Sequence, residues 1–161
     1  MEVTVAKSAG FCFGVKRAID TVYQEIEKGE KVFTLGPIIH NEQVVQELEE
    51  KGVQVINSIE ELADIKDGTV VIRSHGVSEQ VIRQLEKYDI KIVDATCPFV
   101  SKIHRIVQEK YREGFQIVII GNRTHPEVEG INGWCENSAI VLETVSEAES
   151  FRPDPQKKLC I

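Results

Sequence analysis

The sequence predicts an α/β protein with mainly parallel strands. Short runs rich in β-branched residues alternate with helical patterns from end to end, each helical run keeps its apolar residues on one face, and helix-ending signals fall between the two. The strand runs lie near Val3–Ala6, Val32–Leu35, Val53–Ile56, Thr69–Arg73, Lys91–Val93, Gln116–Ile120 and Ala139–Leu142. After the first of these, Val15, Ala18, Ile19, Val22, Tyr23 and Ile26 share one helical face. Val44, Val45 and Leu48 form the next face, followed by Val81, Ile82 and Leu85, and then Val100, Ile103, Val107 and Tyr111. Ser58 with Glu61 has the spacing of a capping box, Ser78 is placed to cap a helix, and Gly29, Gly52 and Gly114 follow three helix ends. Pro153-Asp154-Pro155 marks a loop, and Lys157-Lys158-Leu159-Cys160-Ile161 reads as a strand that has just begun, so the chain is expected to be part of something longer. The stretch Asp94–Cys97 is the expected boundary between two βα units, residues 1–95 and 96–161, the second incomplete.

Composition narrows the function. Among 161 residues, 26 acidic against 19 basic side chains leave a formal charge of −7, which argues against a nucleic-acid partner. Hydrophobic residues at 42 % and charged residues at 28 % suit a packed core, since chains of about 150 residues bury roughly 68–70 % of their unfolded surface. The longest apolar run, Ile117–Ile120, is far short of the roughly 20 residues that a membrane helix needs. The start, Met1–Lys7, lacks the basic and apolar regions of a secretory signal. These features predict a cytoplasmic protein without a membrane partner, whose four cysteines, Cys12, Cys97, Cys135 and Cys160, stay reduced. No C-x-x-C pair occurs, so any shared metal site must be assembled by the fold.

In open α/β sheets, ligands gather where strand carboxyl ends meet the following loops. Those loops carry Gly10-Phe11-Cys12-Phe13-Gly14, Gly36-Pro37-Ile38-Ile39-His40-Asn41, Ser74-His75-Gly76, Asp94-Ala95-Thr96-Cys97-Pro98 and Gly121-Asn122-Arg123-Thr124-His125-Pro126-Glu127. Three of the four histidines and two of the four cysteines therefore fall at one end of the expected sheet. Cys97 precedes a proline suited to a first helical turn, where free N–H groups stabilise a thiolate. Such a thiolate is a metal ligand or a nucleophile, while the bland reading is a buried, inert cysteine. Cys12, between glycines and ahead of Lys16 and Arg17, is open to a ligand role or to a small apolar role in a tight turn. His40, His75 and His125 can donate hydrogen bonds to an anion such as a diphosphate, or else cap their loops. Glu127 can deliver a proton beside His125, or simply complement a helix dipole, which is the reading given to Glu129. His104 lies within a helix beside an apolar face and reads as structural. A phosphatase-type Cys-x5-Arg loop is missing, with Ala18 and Ile103 standing where arginine would be, and neither nucleotide-binding glycine motif occurs.

Those loop blocks, with Arg17-Ala18-Ile19, Val44-Val45, Val77 and His125-Pro126-Glu127-Val128-Glu129-Gly130, resemble the 4-hydroxy-3-methylbut-2-enyl diphosphate reductase family in order and spacing. These iron–sulfur enzymes end the non-mevalonate route to isoprenoid precursors. The resemblance implies three α/β units arranged as a trefoil, two of them in this chain, with the N-terminal strand belonging to the third. It implies a [4Fe-4S] cluster held by three cysteines, Cys12 and Cys97 among them, and an iron left open toward a substrate hydroxyl. His40 and His75 would hold the diphosphate, His125 would contact substrate and relay a proton, and Glu127 would supply one as the C–O bond breaks. Electrons would come singly from ferredoxin or flavodoxin, giving isopentenyl and dimethylallyl diphosphate. The family's third cysteine and its serine and asparagine diphosphate ligands fall outside this chain, and neither Cys135 nor Cys160 sits in a ligand motif. The expectation is an N-terminal half that is inactive alone. Two other classes fit the bare residues: an anion-binding module without redox chemistry, and a cysteine-dependent transferase or hydrolase using Cys97 with His75 or His125.

Overall fold

The computed structural model describes residues 2–161. Helix α1 (Phe13–Glu27) leads into β1 (Val32–Leu35), α2 (Glu42–Glu50) and β2 (Gln54–Ile56). After a 3₁₀ turn at Glu60–Asp64 come β3 (Thr69–Ile72), α3 (Glu79–Leu85), β4 (Lys91–Asp94) and α4 (Pro98–Arg112). The chain continues through β5 (Gln116–Ile120), α5 (Pro126–Gly133), β6 (Ile140–Leu142), α6 (Val145–Ser150) and β7 (Leu159–Cys160). The strands form two wholly parallel sheets, ordered β2-β1-β3-β4 and β6-β5-β7. The α/β class read from the alternation is therefore correct, and the strand expected at the last residues is β7, paired with β5.

Register fixes where the loops leave. Leu35 pairs with both Ile56 and Ile72, and Ile72 pairs with Asp94, so the carboxyl ends of all four strands of the larger sheet lie level. Period-2 alternation then splits the core between the two faces. Val32 and Val71 pack with Ala18, Ile19, Val22 and Leu48 of α1 and α2. Phe33, Leu35, Val70 and Ile72 pack on the opposite face with Leu62, Val77 and Leu85. The smaller sheet has its own apolar cluster of Val107, Ile117 and Cys135, flanked by Tyr111, Ile131 and Trp134.

The punctuation matches the sequence. Ser78 accepts from the Val81 N–H at 3.3 Å, and Gly29, Gly52 and Gly114 end their helices at φ of 78°, 92° and 83°. At Ser58 half of the expected box forms, as Glu61 reaches back to the N–H groups of Asn57 and Ser58 at 2.9 and 3.0 Å. One element is corrected. Val3–Ala6 is not a strand, and Val3 and Val5 are each 75 % exposed. Its alternation is that of a half-buried strand, but neither sheet offers it a ladder, and β propensity forms nothing without a partner. Among the described residues, no helix is long and apolar enough to cross a membrane.

Leu85, fully buried under β3, is expected to cost about 2–5 kcal/mol when changed to alanine, whereas Val5→Ser should stay within about 0.5 kcal/mol. Urea unfolding followed by circular dichroism measures both.

Candidate active site

Beyond the strand ends, hydrogen bonds carry the strand order into the loops. The Ser74 N–H and hydroxyl both donate to the Ile38 carbonyl, at 3.2 and 3.1 Å, and the Cys97 N–H donates to the Ser74 carbonyl at 2.9 Å. The loops after β1, β3 and β4, which hold His40, His75 and Cys97, are thus tied in a row. Asn41, capping α2 through the Val44 N–H at 3.0 Å, fixes the residue next to His40. The ring centroids of His40 and His75 come to 4.4 Å. His125 joins them from the second unit, 5.6 Å from His40 and 6.0 Å from His75.

The delivery of His125 depends on how closely α5 approaches the loop after β3. The Trp134 Nε1–H donates to the Val77 carbonyl at 2.9 Å, and a Cβ on Gly130 would stand 3.7 Å from the His75 carbonyl. A Cβ on Gly133 would overlap Ser78, so that turn of α5 admits no side chain. His104 is buried and stacked on Trp134 at 5.2 Å, the structural place expected for it.

Burial decides the protonation of His75. Burial, then the charges of His40, Arg73 and His125, push His75 down to about 4, so it is neutral near pH 7. Its Nδ1 is buried and finds no hydrogen-bond partner among the described residues. His125 caps α5, its Nδ1 accepting the Glu127 N–H at 3.2 Å, which in the neutral ring leaves the proton on Nε2. Glu127 lies half-buried in that first turn, and a groove of about 1020 Å³ runs past His40, Asn41, Pro37 and Ile39.

The two cysteines occupy equivalent places, Cys12 as N-cap of α1 and Cys97 as N-cap of α4, with neither thiol committed to a cap hydrogen bond. Each therefore stands at a helix start, where the first-turn N–H groups have no intrahelical partner. The Cys97 thiol lies against the turn that Cys12 caps, because a Cβ on Gly14 would be 2.5 Å from its Sγ. Arg17, one turn further along α1, donates to the Thr96 carbonyl at 2.9 Å and the Asp94 carbonyl at 3.3 Å. The Thr96 N–H in turn donates to Asp94 Oδ1 at 2.8 Å. Arg17 therefore ties the two cysteine-bearing loops together. The sequence marks Arg17 as a basic residue after Cys12 and as part of a family block, but not its contact with the Cys97 loop.

Cys135 and Cys160 lie elsewhere, in and against the core of the smaller sheet, and burial pushes the Cys135 thiol up. All four cysteines are free. Among the described residues, no group of three or more His, Cys, Asp or Glu side chains is arranged to hold a metal ion. Two thiols at neighbouring helix starts supply soft donors, fewer than a complete metal ligand set.

The family model described as "LytB protein" matches residues 3–161. The chain belongs to the LytB protein family. A LytB relative from Clostridioides difficile, described as 4-hydroxy-3-methylbut-2-enyl diphosphate reductase, is 46 % identical over 162 residues, covering 100 % of this chain and 57 % of its own length. One of the same description from Caldanaerobacter subterraneus is 51 % identical over 153 residues, covering 94 % and 53 %. A solved reductase structure from Plasmodium falciparum superposes with a TM-score of 0.86 at 33 % identity, over 95 % of this chain and 48 % of that one. A second, titled as the terminal enzyme of the non-mevalonate pathway, gives 0.75 at 41 % identity, over 92 % and 53 %. The chain spans about half the length of the curated relatives it matches.

Two measurements test this geometry. His75 and His104 are both held at about 4 against 6.5, so between those values the folded chain binds fewer protons than the unfolded one. Stability is expected to be constant above pH 6.5 and to fall as pH drops toward 4, with both rings titrating near 4 by NMR. Arg17→Met removes charge-assisted bonds to two carbonyls and should cost about 1.5–3 kcal/mol in urea unfolding.

Proposed function

We propose that this chain forms part of an iron–sulfur reductase that converts (E)-4-hydroxy-3-methylbut-2-enyl diphosphate to isopentenyl and dimethylallyl diphosphate, contributing the histidine-lined anion site and two cluster ligands. The observation that carries this reading is the meeting of His40, His75 and His125, from three separate loops, within 4.4 to 6.0 Å in a LytB-family chain. Three imidazoles in one place offer directed N–H donors to phosphate oxygens. A cysteine hydrolase would have no use for Cys12, and a plain anion module would have no use for either thiol.

Cys12 and Cys97 would hold the cluster, the thiol of Cys97 resting where Gly14 leaves room for it. A [4Fe-4S] cluster on three thiolates supplies single electrons and one iron open to a hydroxyl oxygen. His40 and His75 bind the diphosphate. His125, with its proton on Nε2, donates to a substrate oxygen, and the Glu127 carboxyl supplies the proton with which the hydroxyl leaves as water. We further infer that residues 1–95 and 96–161 are separate units of the whole protein, that the thiols are kept reduced in the cytoplasm, and that ferredoxin or flavodoxin delivers the electrons.

The test uses the native protein purified without oxygen. Iron and acid-labile sulfide should be lost in Cys12→Ser and Cys97→Ser and kept in Cys135→Ser; equal loss in all three would overturn the ligand assignment. Glu127→Gln should keep cluster and substrate binding while turnover falls by about 10²-fold or more, and unchanged turnover would remove its role.

A further inference from the structure

Arg73 is the half-buried cation that the site has not yet used. It follows β3 directly, two residues before His75, and its guanidinium packs over Gly36, whose φ of 71° and missing side chain make the room. Gly36 opens the loop that carries His40. The buried Nε of Arg73 has no hydrogen-bond partner among the described residues, and none of the salt bridges there includes this side chain. Desolvation lowers its pKa and the carboxylate of Glu129, on α5, raises it. Arg73 thus adjoins all three elements that bear the histidines: it packs on the His40 loop, belongs to the His75 loop, and feels the charge of the His125 helix. Burying a cation without a full counter-charge is costly, and the cost is recovered when an anion arrives. His75 cannot provide positive charge near pH 7, whereas a guanidinium is charged at every working pH.

We propose that Arg73 is a positioning residue of the anion site, its fixed charge holding a diphosphate against the imidazole donors, with Glu129 as the internal competitor for that charge. The proposal rests on the diphosphate reading of the histidine cluster. It also assigns Glu129 an electrostatic part that its place in a first helical turn does not explain.

The probe is inorganic pyrophosphate, titrated at constant ionic strength into the native protein that contains this chain and followed by isothermal titration calorimetry. Arg73→Met should weaken binding by roughly tenfold or more, the loss of one charge-assisted interaction, and Arg73→Lys should stay within about threefold of the parent. Glu129→Gln should tighten binding. Equal affinity in Arg73→Met and the parent overturns the proposal, as does a loss in Arg73→Lys as large as in Arg73→Met. If Arg73→Met fails to fold, Glu129→Gln decides: tighter binding supports the proposal and unchanged affinity overturns it. A native parent protein that shows no pyrophosphate binding, or binding untouched by His40→Phe and His75→Phe, removes the anion-site reading and this inference with it. Binding lost in the histidine variants but not in Arg73→Met removes the inference alone.

Discussion

Parallel pairing in register is the constraint on which the site depends. With Leu35, Ile72 and Asp94 side by side, the backbone has no choice but to turn out of the sheet three times along one edge. The bonds from Ser74 to Ile38 and from Cys97 to Ser74 then extend the ladder beyond the strands, so the loops inherit the order β1, β3, β4. This matters because loops that carry chemistry need rigid support, and a main-chain bond holds position better than side-chain packing alone. Ser74 is buried for that reason: its hydroxyl and N–H both serve one carbonyl, leaving His75 projecting from a fixed root.

At the histidine edge, burial sets the charge of His75. Three imidazoles within 6.0 Å could not all be protonated without repulsion, and burial settles the matter for His75 by holding it uncharged. On the proposed diphosphate reading, a neutral His75 orients an anion but attracts it weakly from a distance, which leaves the long-range pull to Arg73 and to the free N–H groups of the nearby helix starts. Phe11 and Phe13 bracket Cys12 in the sequence and Phe99 follows Cys97 by two residues, and all three rings are exposed.

Much of this was legible in the residues. The loops after the strands, the capping positions of Cys12 and Cys97 and the structural place of His104 all follow from local rules about helix starts, strand ends and apolar faces. Two things did not follow. Val3–Ala6 has a strand's alternation, but strand formation is decided by a partner, which local pattern cannot supply. Arg17 and Arg73 gain their meaning from contacts that span the fold: Arg17 reaches a loop 79 residues away, and Arg73 lies over a glycine in a different loop. Long flexible side chains of this kind carry little positional information until the backbone around them is fixed.

The dependence of His125 on the smaller sheet shows how far the site is a product of packing between the two sheets. His40 and His75 would meet in the first sheet alone, since one ladder sets both of their loops. His125 arrives by a different route, through a helix whose Gly130 and Gly133 allow it to press against the His75 loop and whose Trp134 donates into Val77. Trp134 also stacks on His104 of α4, so the same indole joins α4, α5 and the loop after β3. A loosening at this junction would leave the first two histidines in place and withdraw the third. His125 and Glu127 are therefore set by packing between the two sheets, and His40 and His75 by hydrogen bonds within one.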